Sequence, residues 1–371
     1  MPASIMYIIG VGIFLIIIEV YMKNKFIKFS DIKQYRNVIH DIQTHAKYVG
    51  KDDDGNIIYD NSIKAPTITF NGTVKLHGTN SGVVFNPDND MWVQSRRQII
   101  TPEKDNAGFA FFVESHKDIF KSLHTQLLSN KPELSDKVIA YFGEWAGGNI
   151  QKGVAINGLP KMFVIFAVKV VNPDDIEDNY YLKQEDFQFL SEPDANIYNI
   201  YDYKQYTIDI DFENPGFAQE EISKLVDEVE KECPVGKAFG KIGTGEGIVW
   251  VGWYDGQRYV FKTKGQKHST SKVKTVASVD VEKLNSINEF VAYAVTENRL
   301  NQAIEQVFII NSEIPRIEKT GDFIRWVVND IIKEELDTLS KNGLEPKDVN
   351  KYISKQSQTW FMIYLNDMAG L

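Results

Sequence analysis

From about residue 26 to 277 the chain alternates short apolar runs with polar turns, and from about 280 its apolar positions fall at helical spacing. Met91-Trp92-Val93, Ile139-Ala140-Tyr141-Phe142, Met162 to Val168 and Tyr259 to Lys264 read as strands. Asp52-Asp53-Asp54-Gly55 and Asn86-Pro87-Asp88-Asn89-Asp90 supply turn chemistry between such runs. This patterning predicts an α+β domain with antiparallel sheets over 26–277. Beyond it, Leu284, Ile287, Val291 and Val295, then Ile324, Val327, Val328, Ile331 and Ile332, repeat as one face of a helix. Asn342-Gly343 marks a break, and Trp360 to Leu365 form a closing apolar stretch. A small all-helical C-terminal domain is therefore expected over 280–371.

Composition adds bounds. At 371 residues, 43% hydrophobic and 25% charged, the chain is globular and long enough for two domains. A net charge of −10 is unusual for a protein that grips nucleic acid through a bulk positive field. The lysines are instead concentrated: Lys262, Lys264, Lys267, Lys272 and Lys274, with His268, form one basic run. Such a run is often a solvated linker; beside a phosphate site it would contact an RNA backbone. Cys233 stands alone, which excludes an internal disulfide framework and a cysteine-built zinc site, and fits a reducing compartment. No Gly-x-x-x-x-Gly-Lys-Ser/Thr loop is present, which argues against a P-loop nucleotide site.

The candidate chemistry starts at Lys75-Leu76-His77-Gly78-Thr79-Asn80. A lysine that attacks a nucleotide α-phosphorus must be a neutral amine, although its free pKa is about 10.4. Its site must supply desolvation or nearby cations. The chemistry also asks for a ribose contact, a phosphate-binding cation, metal-binding carboxylates and an aromatic face for the base. Arg96, in Gln94-Ser95-Arg96-Arg97, offers a guanidinium fork. Glu144 ends an apolar strand among glycines, and Phe166 sits in another apolar strand. Glu246 lies between Gly245 and Gly247, while Lys262 and Lys264 point to one face of a strand. Each has a bland reading: a solvated lysine, turn carboxylates, a core aromatic, a polar but inert His77, a protective edge-strand charge. Together and in this order, the bland readings would all have to coincide.

The set resembles the motifs of the covalent ligase and capping-enzyme superfamily, and within it the RNA ligase 2 family of phage RNA-repair and kinetoplastid RNA-editing ligases. The match runs through Lys75-x-His77-Gly78, Arg96 with Pro102-x-x-Asp105-x-x-Gly108-Phe109, Phe142-Gly143-Glu144-Trp145-Ala146-Gly147 and Ile150-Gln151-Lys152. His77 stands where DNA ligases and capping enzymes usually have aspartate. The resemblance covers most of the chain from about residue 26, and is weakest between roughly 170 and 240.

It implies a ligase-type adenylyltransferase domain and an ATP-dependent enzyme that joins 3′-OH and 5′-phosphate RNA ends through a lysyl-AMP, with nicked duplex RNA, in repair, as the substrate class. Lys75 would carry AMP, and Glu144 would contact the ribose or a metal. Phe166 would stack on adenine, and Glu246 would bind Mg²⁺ or Mn²⁺. Lys262 and Lys264 would contact the α-phosphate, Arg96 the phosphate or ribose. His77 and Asn80 would serve the later steps. Ala167 departs from the family, which usually has aspartate after the stacking aromatic, and that acidic role is left open. Val295-Thr296-x-Asn298-Arg299-Leu300-Asn301 resembles the family's helical C-terminal domain and argues against a DNA-ligase OB-fold there. The alternatives are an ATP-dependent DNA ligase, a capping guanylyltransferase, or a non-catalytic nucleic-acid-binding protein with a decayed nucleotidyl site. Nothing indicates an oligomer.

Residues 1–25 stand apart. Ile5 to Ile18 is an unbroken apolar or glycine run, followed by Glu19, Val20, Tyr21 and Met22, then Lys23, Lys25 and Lys28. It falls just short of the roughly 20 residues of a membrane span, and Glu19 is costly in hydrocarbon. No basic residue precedes it, against a signal peptide. One reading is membrane attachment through residues 5–22, with the following lysines placing the catalytic part in the cytoplasm. The other is an upstream stretch from a misplaced start codon, since the resemblance begins near Phe26.

Overall fold

The computed structural model describes residues 24–268, 287–311 and 313–369. The hydrophobic N-terminal segment, Leu284, Lys272 and Lys274 lie outside the described residues. The fold is α+β with antiparallel-dominated sheets, and it ends in a helical region. The chain forms two compact units. Unit 1 takes Thr79–Trp145, Met162–Asn199 and the residues up to Ser30; unit 2 takes Asp31–Gly78, Ala146–Lys161 and Ile200–Leu371.

Unit 2 contains β1 (Lys33–Gln34), β2 (Tyr48–Lys51), β3 (Ile57–Tyr59), β4 (Thr67–Lys75), β12 (Gln205–Asp211), β13 (Gly247–Tyr254) and β14 (Gln257–Lys264). Five of them form a sheet in the order β1-β14-β13-β4-β12, antiparallel except for the β1–β14 pair. Alternating Ile68 and Phe70 on β4 match Tyr206, Ile208 and Ile210 on β12, the period of a half-buried strand. The amphipathic helix Tyr35–Lys47 buries Tyr35, Val38, Ile42 and Ala46, and the Tyr35 ring packs 4.9 Å from Phe261 of β14. Helix Ala218–Lys231 buries Ile222, Val226 and Val229. Burial of such side chains supplies the main driving force.

The helical region belongs to the same unit. Helices Ile287–Ala294, Glu297–Ile304, Thr320–Lys341 and Pro346–Ala369 enclose a core that includes Phe290, Leu300, Phe308, Phe323, Val327 and Phe361. Thr296 caps the Glu297–Ile304 helix by accepting the Arg299 N–H, as a threonine N-cap should. The expected break at Asn342-Gly343 is real. Gly343 has φ +67°, and the Leu344 N–H turns back to the Leu339 carbonyl at 2.9 Å. Helix Thr320–Lys341 kinks at Glu335, whose backbone leaves helical geometry.

Unit 1 holds β5 (Thr79–Phe85), β6 (Met91–Ser95), β7 (Ile99–Ile100), β8 (Val138–Ala146), β9 (Met162–Val171), β10 (Asn179–Tyr181) and β11 (Ile197–Asn199). The sheet order is β10-β9-β8-β5-β6-β7, and β11 pairs β9 in parallel. Nearly continuous burial along β8 and β9 marks strands covered on both faces. Phe109, Phe120 and Leu127 come from helices Phe109–Ser115 and Lys117–Asn130, and both Phe109 and Phe120 pack on the Phe163 ring. A separate cluster joins Ile27, Val84, Trp92, Phe142 and Ala167. Gln94 holds the Ile27 backbone from both sides, donating to its carbonyl and accepting its N–H. Among the described residues, no helix is long and apolar enough to cross a membrane.

Candidate active site

Lys75 is the last residue of β4, and the register runs Lys75 opposite Gly247 and Gly247 opposite Lys264 across three strands. This row brings both lysines beside Glu246, the residue that enters β13. Gly247 has φ +153°, and a Cβ there would stand 2.0 Å from the Thr263 carbonyl oxygen, so the crossing requires glycine. Glu246 is 1% exposed in its side chain, yet three cationic groups surround its carboxylate. Lys75 Nζ lies 2.7 Å and His77 Nδ1 3.1 Å from Oε2, and Lys264 Nζ lies 3.0 Å from Oε1. Gln151 is buried and donates its amide to the Gly78 carbonyl at 3.2 Å, which ties down the loop after Lys75.

Burial alone would push the Glu246 carboxyl up, but Lys75, Lys264 and His77 outweigh it and hold it well below the usual carboxylate range. Lys264 shows the mirror image: burial opposes its charge, and Glu246 raises its pKa above the ordinary lysine value. His77 also bonds Glu305 through Nε2 at 3.3 Å. Desolvation would lower its pKa, yet the charges and hydrogen bonds of Glu246 and Glu305 push it up to about 9. His77 is therefore an imidazolium that donates from both nitrogens at neutral pH. His268, with its ring 5.6 Å from that of His77, is pushed down to about 4 by burial and stays neutral.

Lys262, on the same strand face as Lys264, does not reach Glu246. Its Nζ pairs with Glu334 Oε1 at 2.7 Å, from helix Thr320–Lys341.

In unit 1 the remaining sequence candidates fall on one sheet. Asn80 and Glu144 stand directly opposite each other in the β5–β8 register, so their side chains share a face with Phe142 and Val84. Phe166 is half-buried on β9; its ring meets that of Phe29 at 5.3 Å, and Phe29 in turn lies 5.0 Å from Phe142. Ala167 is buried and packs in the apolar cluster with Ile27 and Phe142. Arg96 is exposed just past the end of β6.

The structure thus gathers Lys75, His77, Glu246 and Lys264 in unit 2, and Asn80, Glu144 and Phe166 on the unit 1 sheet. Glu305 and Glu334 escaped sequence reading because a carboxylate on an amphipathic helix carries no local mark of its tertiary partner. Among the described residues, no group of three or more His, Cys, Asp or Glu side chains could hold a metal ion by itself. Mg²⁺ commonly takes one or two carboxylates and completes its shell with substrate phosphates and water. Both Glu246 oxygens are paired with Lys75, His77 or Lys264, and one of these cations would have to give way for Glu246 to serve as such a ligand.

Residues 68–345 match the profile of the RNA ligase family. No curated protein matches the chain. Among solved structures, a Naegleria gruberi RNA ligase with PPi aligns with a TM-score of 0.41 and 19% identity, covering 65% of this chain and 57% of that one. An alanine variant of that ligase with ATP and Mn gives a TM-score of 0.40 and 17% identity over the same shares. The similarity therefore spans little more than half the length of those ligase chains.

Proposed function

The chain belongs to the RNA ligase family, and from that membership we propose that it is an ATP-dependent RNA ligase that joins 3′-OH and 5′-phosphate RNA ends, with nicked duplex RNA as its repair substrate. The observation that carries this reading is the Lys75–Glu246–Lys264–His77 cluster. It offers a lysine amine at a strand end, with further cations fixed around it by one buried carboxylate.

Lys75 must first part from Glu246 and lose a proton, since an ammonium has no lone pair to attack with. Its nitrogen then bonds the α-phosphorus of ATP while the bond to the pyrophosphate leaving group breaks. Lys264 and Lys262 are placed by this reading at the α-phosphate, where fixed positive charge favours the transition state. Next, an oxygen of the RNA 5′-phosphate attacks the same phosphorus, the N–P bond breaks, and AMP passes to the RNA. Finally the 3′-oxygen attacks the 5′-phosphate, loses its proton and releases AMP. In this scheme Phe166 stacks on adenine, Glu144 binds ribose or metal, and Arg96 binds phosphate or ribose. Asn80 and His77 act after adenylylation. Mg²⁺ or Mn²⁺, with Glu246 as a proposed carboxylate ligand, would offset phosphate charge when bound.

Incubation with α-labelled ATP and a divalent metal tests the proposal. Label should become covalently attached to the protein through an acid-labile, alkali-stable P–N bond and disappear in Lys75→Ala, and the labelled enzyme should seal a nick with RNA on the 3′-hydroxyl side. Equal sealing with DNA at that side would favour a DNA ligase instead.

A further inference from the structure

Two carboxylates of the helical region engage the cations of the candidate site. Glu305 bonds His77, and Glu334 bonds Lys262. The second contact is the more elaborate. Register places Gln34 of β1 beside Lys262 of β14, and the Gln34 amide donates to both the Glu334 carboxylate, at 3.1 Å, and the Glu334 carbonyl, at 3.3 Å. The Lys262 and Glu334 side chains are only 19% and 15% exposed, so the pair is poorly screened. One residue on, the helix kinks at Glu335, whose fully buried carboxylate accepts from Arg36 at 3.0 Å and from Tyr293 at 3.0 Å. Glu334 is thus carried at a bend, the place where a helix most easily changes direction.

A carboxylate 2.7 Å from an ammonium neutralises it and fills the position that a phosphate oxygen would take. Both anions cannot share Lys262 without facing each other. We infer that Glu334 is an internal competitor for the phosphate-binding cation Lys262, so that nucleotide binding and release of this part of helix Thr320–Lys341 are a single event. This inference rests on the assignment of Lys262 to the α-phosphate. It gives the helical region a role in the nucleotide step, before any RNA is bound: Glu334 holds the helix on the phosphate cation, and the nucleotide exchanges one anion for another. By linkage, whatever stabilises the Glu334 contact weakens nucleotide binding by the same factor.

The test is equilibrium dialysis of Mg·ATP against the full chain in a Lys75→Ala background, where no adduct can form. Glu334→Gln keeps the shape and the Gln34 contact but removes the charge. It should bind ATP roughly fivefold tighter, the scale of one partly buried ion pair. Equal or weaker binding would overturn the inference, because a purely structural clamp predicts a loss. Hydrogen exchange covers the case of a variant that folds poorly: in the chain with native Glu334, saturating ATP should speed exchange across residues 330–341. Unchanged or slowed exchange there would also overturn it. The two readings fail separately. A chain that labels on Lys75 while Glu334→Gln binds no tighter is a ligase without this competitor. Tighter binding without any lysyl adduct retains the competitor and removes the ligase. No ATP binding by either form removes both.

Discussion

Unit 1 takes polar side chains out of water mostly in neutral form, whereas unit 2 buries charge. In unit 1, His124 is 4% exposed, bonded to Tyr141 at 2.7 Å and stacked on Phe85, and Asn199 donates to the Phe187 and Leu190 carbonyls. Its nearest approach to a buried charge is Lys169, which donates to the Lys28 carbonyl and lies over the Tyr181 ring. In unit 2, Glu246, Arg299 and Glu335 are all essentially inaccessible. Arg299 donates to Asp330 at 2.8 Å and to the Ala294 carbonyl at 2.6 Å, and its guanidinium lies 3.5 Å from Glu335. Desolvating an ion costs several kcal/mol, and apolar packing of the same volume is often as stable. Buried ions are therefore weak evidence for stability and better evidence for chemistry, and in this protein they accumulate in the unit that carries Lys75.

The sharpest way to break this comparison is to strip one buried charge. Arg299→Leu takes from Asp330 the guanidinium bonded to it, and from Glu335 one of two neighbouring guanidiniums, Arg36 being the other. It should cost about 3–5 kcal/mol, measured by urea unfolding. Hydrogen exchange should assign the loss to the helical region; a loss under about 1 kcal/mol would mean that those carboxylates find water instead. The matching perturbation of unit 1 is steric. A Cβ on Gly143 would stand 2.4 Å from the Phe163 ring and 2.7 Å from the Val164 carbonyl oxygen. Gly143→Ala should therefore cost about 1–3 kcal/mol through overpacking, with little dependence on salt.

The gentlest perturbation is acid. Burial pushes His124 down to about 4 from 6.5. The unfolded chain then takes up this proton from pH 6.5 downward, while the folded chain resists until about 4. The contribution is complete above pH 6.5 and is lost as pH falls towards 4. Unfolding measured over that window should show the slope, and His124→Gln should flatten it. A variant with the same slope as the parent would place the proton uptake elsewhere.

Much of the fold could be read from spacing. The apolar runs that became β8 and β9, the helical repeat from Ile324 to Ile332 and the stop at Gly343 are all local signals. Glu246 between two glycines was legible for a similar reason: the close crossing at Gly247 leaves its mark in the sequence itself. Lys262 shows where local signals end. The strand period correctly put it on one face with Lys264, but that period says nothing of Glu334, 72 positions later, which takes the Lys262 ammonium. Arg299 was legible only as part of a family-like string, and its burial against Asp330 follows from helix packing that no short window records. Ala167 departs from the family pattern at a position the fold fills with apolar neighbours.

Site-resolved mass spectrometry of the full chain after exposure to ATP and Mg²⁺ tests the central claim most directly. The account predicts one AMP per chain, joined to the Lys75 nitrogen and discharged by added pyrophosphate. An unmodified Lys75, or AMP found on another side chain, would contradict it.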